Sequence, residues 1–302
     1  MHETGVAEIF SGIGPEHLAA SHSAWSADVS EFGPWDDGFA SSVENTGRIW
    51  RARAYDGPAS IHITGPCVST MDAASEFIRR GVMEPWSSVI AVQQTAGRGR
   101  RKRRWDSPAG NLYGTWYWPL SGEKDDPLSG YRNLASLLAG DILATVLREQ
   151  GIGVQIKWPN DIILGGRKLC GILVEGRGSA VLVGIGINLV SAPGDGLIDD
   201  DFSLPAVCLD PDGQRFRPLS FWTGLMEAGR AHFENTLNTL TPPDFVRRLE
   251  ANLAWRGRRV VVRKEKEPPF EAFLCGLASD GALKIRRSGE TEILYSATIR
   301  PV

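Results

Sequence analysis

Between Val154 and Val190 the chain carries three apolar, β-branched runs in quick succession, "VQIKW", "KLCGILVE" and "AVLVGIGINLV". Runs of this length read as strands, and runs this apolar call for a sheet covered by helices on at least one face. A cover is at hand in "RNLASLLAGDILATVLREQG", where Leu134, Leu137, Leu138, Ile142 and Val146 recur at helical spacing and Gly151 closes the segment. Upstream, "SIHIT" and "SVIAV" read as strands flanking a helix over "STMDAASEFIRRG". Ser69 and Asp72 form a capping-box pattern there, Met71, Ala74, Phe77 and Ile78 share a face, and Gly81 offers a stop. "NLYGTWYW" is a further strand. After a Gly/Pro/Asp-rich connection over 191–218, "LSFWTGLMEAGRAHFENTLNTL" and "PDFVRRLEANLA" read as helices. From Arg256 onward short strands and turns predict a small β-barrel. The fold class is therefore α+β, a mixed sheet covered by helices with a small C-terminal β-barrel. Residues 1–57 lack three consecutive amphipathic helices and are expected to be an irregular N-terminal segment rather than a helix-turn-helix domain. The main domain is expected over 58–253 and the barrel over 254–302.

Charge is distributed unevenly. From Gly97 to Arg104, inside "QQTAGRGRRKRRW", eight residues hold six basic side chains and two glycines, in a chain whose net charge is -3. Without that cluster the rest carries -9 (-3 minus 6), so the positive charge is local. The balance gives no global reason to expect nucleic acid or an anionic membrane as partner. No apolar run approaches the ~18 residues of a membrane span, and "MHETGVAEIF" has no basic region followed by an apolar core, as a secretory signal would. Cys67, Cys170, Cys208 and Cys275 are scattered without metal-type spacing, which suits a reducing compartment and makes cytoplasm the expected location.

Two segments carry candidate chemistry. In the basic loop, glycines between arginines let the backbone approach a ligand, and six mutually repelling cations are expected to order only over an anion such as a polyphosphate. Trp105 is placed either to stack on a base or to pin the loop to the core. A solvated basic loop, or a localisation or RNA-binding signal, is an equal reading of this segment alone. In "KWPNDIILGGRKLCGILVE", Pro159 and Asn160 interrupt a strand, so Lys157 and Asp161 lie at a turn. "LGGRK" is a hairpin-type turn that starts the next strand at Lys168. Two lysines thus bracket a strand–turn–strand unit with a carboxylate near enough to orient one. The plain alternative is a surface Lys157–Asp161 pair worth ~0–1 kcal/mol.

Taken in order, "STM", "QQTAGRGRRKRRW", "SPAGNLY", "KWPND", "RKLCGILVE" and "VGIGINL" resemble the biotin protein ligase (biotin–acetyl-CoA-carboxylase ligase) family across about residues 60–190, and 256–302 resembles that family's SH3-like C-terminal domain more loosely. The resemblance implies a biotin/lipoate ligase-like catalytic domain in a form without a DNA-binding domain. It also implies a two-step reaction: ATP and biotin give biotinyl-5′-adenylate and pyrophosphate, and biotin then passes to a lysine of a biotin carboxyl carrier protein domain. Mg²⁺ would arrive with ATP, and no protein ligand for it is assigned. Lys168, Arg100 and Lys157 match the catalytic positions, Lys168 bridging carboxylate and phosphate. Ser69, Thr70, Met71, Gln94 and Gly171 match the biotin slot, together with Arg98, Gly99, Arg100 and Lys168. Arg98, Arg100, Arg103, Trp105, Asn160, Asp161, Lys168 and Asn188 match adenylate-binding positions. Neither DNA nor membrane is an expected partner; family members are often dimers, which leaves a homodimer open. Two positions depart from the family pattern: Met71 stands where asparagine is usual, and Lys102 replaces a third loop glycine. A diverged ligase for lipoate or a fatty acid, and an inactive protein that binds biotin or nucleic acid, are the competing readings.

Overall fold

The computed structural model describes residues 5–9, 13–39, 48–57, 59–120, 129–177, 180–194, 202–213, 215–265 and 267–302. Ten strands build one sheet. They are β1 (Ala7–Ile9), β2 (Trp35–Phe39), β3 (Arg48–Ala52), β4 (Ile61–Thr64), β5 (Ser88–Ala91), β6 (Leu112–Trp118), β7 (Val154–Lys157), β8 (Asp161–Leu164), β9 (Arg167–Arg177) and β10 (Ala180–Ile187). Their order is β2-β3-β1-β4-β5-β6-β10-β9-β8-β7. β4 pairs in parallel with β1 and with β5, and the other pairs are antiparallel, so the sheet is mixed as expected.

Helices pack on both faces of the sheet. On one side lie α5 (Ala135–Glu149) and α6 (Pro218–Thr239). Gly140 of α5 sits over Ile156, Ile162 and Ile172, and Gly114 of β6 lies directly under the Trp222 ring of α6. A short α4 (Ser129–Arg132) precedes α5, so the long helix read from the sequence is broken at Asn133 and Leu134. On the opposite side lies α3 (Thr70–Arg79), with Met71 and Ala74 buried and Phe77 and Ile78 packed beside them. Ser69 caps α3 by accepting the Met71 amide at 3.2 Å, but the reciprocal half of the capping box is not made: Asp72 pairs with Arg98 at 2.7 Å instead.

The reading of residues 1–57 as irregular is corrected. β1, β2 and β3 extend the main sheet, and α1 (Pro15–Ser21) and α2 (Ser23–Phe32) precede β2. Asp28 of α2 is fully buried and accepts the Leu219 and Ser220 amides at 2.7 and 3.2 Å, satisfying the free N–H groups at the start of α6. Burial raises its carboxyl against the opposing pull of these hydrogen bonds. The segment escaped pattern reading because β1 spans three residues and β2 reads "WDDGF"; residues 40–47 and 58 lie outside the described residues, as do 195–201 of the expected connection.

α7 (Pro242–Leu249) leads into five C-terminal strands: β11 (Arg259–Arg263), β12 (Phe270–Leu277), β13 (Leu283–Arg287), β14 (Glu290–Leu294) and β15 (Thr298–Pro301). They form an antiparallel sheet in the order β14-β13-β12-β11-β15, of SH3-like kind. Among the described residues β14 and β15 are not paired with each other, so the sheet is open where a closed barrel was expected. It docks on the larger sheet through Trp158, buried, whose indole donates to the Gly281 carbonyl at 2.9 Å. Among the described residues no helix is long and apolar enough to cross a membrane.

Candidate active site

The registers of β6, β10, β9, β8 and β7 align Tyr113, Gly186, Gly171, Asp161 and Lys157 in one row across the sheet, on the α3 side. Directly paired residues point to the same face, so two adjacent glycines make a trough that ends in a charged cluster. Asp161 sits between two ammonium groups, with Lys157 Nζ at 2.8 Å and Lys168 Nζ at 2.6 Å. Its burial would raise the carboxyl, but Lys157 and then Lys168 outweigh that and hold it well below the usual carboxylate range. The surface-pair alternative fails on burial: the Lys157 and Asp161 side chains are only 8% and 10% exposed. Lys168 is fixed through its backbone, since its N–H donates to Pro205 at 2.7 Å and its carbonyl accepts from Val207 at 2.9 Å.

At the other end, the start of α3 meets the strand row above Gly184. Gln94 Oε1 accepts from the Thr70 amide at 2.9 Å and from its hydroxyl at 3.3 Å, while Gln94 Nε2 donates to Ser107 Oγ at 3.0 Å. Thr115 Oγ1 lies 2.9 Å from Thr70 Oγ1. This is a buried run of donors and acceptors beside apolar Met71, Leu173 and Gly184. A Cβ built on Gly184 would stand 2.9 Å from Met71 Sδ, so Met71 occupies the space over that glycine.

The basic loop spans the gap between the two ends. Its stem closes with Trp105 N–H to Gly97 O at 2.8 Å and Gly99 N–H to Arg103 O at 2.7 Å, and Arg100–Lys102 form a 3-10 turn at its tip. Close approach is required at Gly97, where a Cβ would lie 2.6 Å from the Trp105 carbonyl; at Gly99 a Cβ would find ordinary contacts. The left-handed backbone falls on Arg101 (φ 56°, ψ 36°). Arg98 pairs with Asp72, and Arg100 turns inward with Nη1 3.4 Å from Asn160 Oδ1. Burial, then the neighbouring Arg101, lowers the Arg100 pKa, opposed by Asp161. Trp105 covers the glycine trough: Cβ atoms on Gly186 and Gly171 would stand 2.7 and 2.9 Å from its ring, and Lys168 Nζ lies 5.3 Å from the ring centroid. The indole is thus both pinned and placed on the cavity wall.

Ser69, Thr70, Met71, Gln94, Arg98, Gly99, Arg100, Arg103, Trp105, Lys157, Asn160, Asp161, Lys168, Gly171 and Asn188 all border one cavity of about 850 Å³. Asn188 is buried, its amide donating to the Val207 carbonyl at 3.2 Å. Pattern reading missed Thr115 and Ser107, which look like ordinary strand and loop residues, and it missed a strap. Ser203, Leu204 and Ala206 also border the cavity, Ala206 bridging to Lys168. The strap's only sequence signal is the short apolar "FSLPAVCL" inside a Gly/Pro/Asp-rich stretch. Among the described residues no group of three His, Cys, Asp or Glu side chains could hold a metal ion.

Comparison with known proteins supplies a lineage. Residues 65–190 match the Biotin/lipoate A/B protein ligase family. A biotin–[acetyl-CoA-carboxylase] ligase from Paracoccus denitrificans is 32% identical over 217 residues, covering 70% of this chain and 88% of that protein. The bifunctional ligase/repressor BirA of Salmonella typhimurium is 40% identical over 128 residues, covering 39% of this chain and 38% of that protein, so the chain spans well under half the length of the bifunctional relatives it matches. The biotin protein ligase from Aquifex aeolicus in complex with biotin and ATP has the same fold, with TM-score 0.63 over 80% of this chain and 99% of that one at 21% identity. The Leishmania major enzyme in complex with biotinyl-5-AMP superposes with TM-score 0.51 at 26% identity, over 78% of this chain and 98% of that one.

Proposed function

The chain belongs to the biotin protein ligase family, and from that premise we propose that it condenses biotin with ATP and passes biotin to a lysine of a biotin carboxyl carrier protein domain. The observation that carries the reading is the Lys157–Asp161–Lys168 cluster, buried at Lys157 and Asp161 and half-buried at Lys168, at the end of a glycine-floored trough with Arg100 turned toward it. In the first step the biotin carboxylate attacks the α-phosphorus, the bond to the β-phosphate oxygen breaks, and pyrophosphate leaves. Both reactants are anionic, so cations fixed between them offset the repulsion and stabilise the charge that grows on the phosphoryl oxygens. Lys168 is the bridging group in this reading because strap and strand fix its backbone. Lys157 acts beside it and Asn160 steadies Arg100. Mg²⁺ enters with ATP as part of the substrate. In the second step the carrier lysine, as the free amine, attacks the acyl carbon; AMP departs and the amine proton is released.

The trough suits the rest of the intermediate. Thr70, Gln94 and Ser69 offer polar groups to a ureido ring at the inner end, the chain of the acid passes Met71, which covers Gly184, on its way to Lys168, and Trp105 offers an aromatic face to adenine. Arg98 and Arg103 lie at the loop that would cover the phosphate, and Asn188 stands behind the nucleotide end. The orientation of Arg100 into the cavity favours a ligand-covering loop over a nucleic-acid patch; this reading includes neither DNA nor membrane as partner, and the four free cysteines suit the reducing cytoplasm in which it places the enzyme. Met71 favours a second reading: it brings an apolar side chain to the inner, polar end of the slot, where a less polar acid would also fit. Biotin-dependent exchange of labelled pyrophosphate into ATP, with lipoate and octanoate as parallel substrates, decides between them. Exchange with biotin alone is the expected result; exchange with another acid instead makes Met71 the specificity determinant, and none with any acid refutes the ligase reading.

A further inference from the structure

The tip of the basic loop holds two adjacent arginines that go opposite ways. Arg100 turns into the cavity toward Asn160, while Arg101 crosses outward and donates from Nη2 to Ser296 Oγ at 2.9 Å. Ser296 lies in the β14–β15 connection of the C-terminal sheet, and its neighbours Ala297 and Thr298 border the cavity. The turn that separates the two arginines is the left-handed backbone at Arg101 (φ 56°). That conformation is unfavourable for a side chain with a Cβ and is retained where surrounding contacts over-determine it. The contact to Ser296 is such a determinant, and it spans the mouth from the loop of one sheet to the edge of the other.

We propose that Arg101 and Ser296 form a latch by which the C-terminal sheet holds the basic loop closed over the acyl-adenylate. The inference rests on the proposed ligase function for its chemical meaning, though not for its mechanics. Arg101 and Ser296 are positioning residues: neither borders the charged cluster at Asp161, and their contact acts by keeping Arg100 inward. The latch predicts a specific division of effects. Formation of the adenylate needs the loop closed only transiently, whereas retention of this water-labile mixed anhydride needs it closed for the whole interval before a carrier arrives.

Two measurements on the full chain test it. The first is limited trypsin digestion of the ligand-free protein, reading the rate of cleavage after Arg100 to Arg104 by mass spectrometry. Ser296→Ala is expected to speed cleavage about three- to tenfold, the equilibrium equivalent of one net hydrogen bond, while Ser296→Thr, which keeps the hydroxyl, restores protection. Unchanged cleavage in Ser296→Ala overturns the latch. The second is the release rate of preformed biotinyl-adenylate in a single turnover, compared with pyrophosphate exchange. Ser296→Ala and Arg101→Ala, which keeps a Cβ at the left-handed position, are each expected to raise release by a similar factor with exchange within about twofold. The double variant is expected to be no worse than either single one, since both remove the same contact. Additive effects, or equal losses in exchange and retention, overturn the proposal. A wild-type chain that exchanges no pyrophosphate but shows the trypsin effect keeps the latch and refutes the ligase reading, so the two failures are separable.

Discussion

Replacing Gly186 by alanine adds one methyl group to the floor of the trough. Gly186 is not at a positive φ, so its backbone accepts alanine and the effect is purely steric. The new Cβ would stand 2.7 Å from Cε2 and Nε1 of Trp105, against the ~3.5–4.0 Å of an ordinary contact. The indole must therefore retreat by roughly 1 Å. It cannot move into the sheet, so it moves into the cavity, toward the space assigned to adenine. Overpacking of this kind costs ~1–3 kcal/mol, and since Trp105 yields by entering the binding space, the loss falls on nucleotide affinity, roughly 5- to 150-fold. Gly184→Ala is the control. Its Cβ meets Met71 Sδ at 2.9 Å, a flexible thioether that gives way more easily, and it lies at the α3 end, so biotin affinity should fall by a smaller factor and ATP affinity hardly at all. Calorimetric titration of both variants with ATP and with biotin separates the outcomes. If Gly186→Ala left ATP affinity within twofold, or weakened both ligands equally, the placement of Trp105 between trough and nucleotide would be wrong.

Three further outcomes follow from the same geometry. Lys168→Ala should fold normally by circular dichroism and lose adenylate formation by at least ~10²–10³-fold, the scale of removing one preorganised donor to developing charge; near-normal turnover would sink its bridging role. Gln94→Ala leaves the Thr70 amide without its acceptor at the inner end, a penalty of about 1–3 kcal/mol, and should weaken biotin binding far more than ATP binding; equal weakening in titrations of each would refute the orientation of the slot. Asp161→Asn removes the partner of buried Lys157 and half-buried Lys168 and should destabilise the fold at neutral pH by up to about 3–5 kcal/mol. Because the native Asp161 pKa is lowered, its stabilisation is complete above about pH 4 and is lost as pH falls through the native value. Thermal melts from pH 7 downward should therefore show the gap between wild type and Asp161→Asn closing only below that point, and a gap closing near pH 6 would refute the assignment.

Local pattern made most of the large sheet legible. From β4 to β10 each strand but β8 announces itself by its β-branched or aromatic residues; β8 is four residues between two turns, and it puts Asp161 in a ladder with Lys157 where the sequence suggested a turn. α5 and α6 carry their apolar positions at helical spacing over long spans. The charged cluster was legible too, because Lys157, Asp161 and Lys168 are separated by a turn and a hairpin whose Pro, Asn and Gly fix the path between them. What escaped depends on contacts distant in sequence. β1 is only three residues long and is a strand because Ile61 and Arg51 bring partners to it from more than forty residues away. The strap that fixes Lys168 comes from Ala206, across a stretch whose composition reads as loop. The role of Ser296 depends on docking of the small sheet against the large one through Trp158, and nothing in "LYSATI" announces that contact.

A carboxylate beside the cations of a site that must attract two anions looks counterproductive until the charges are added. Lys157, Lys168 and Arg100 bring +3 and Asp161 brings -1, leaving +2 facing the one negative charge of a carboxylate and the one of an α-phosphate in its diester form. Without Asp161, three cations would share a cavity wall in which Lys157 is only 8% exposed, with no opposite charge to offset their mutual repulsion. Asp161 therefore holds its two lysines together before substrate arrives, and its pairing with Gly171 places it at the end of the trough. Arg101 remains close enough to oppose the charge on Arg100, but its guanidinium is engaged by Ser296 at the cavity rim, and Arg100 is the one of the two that turns toward Asn160.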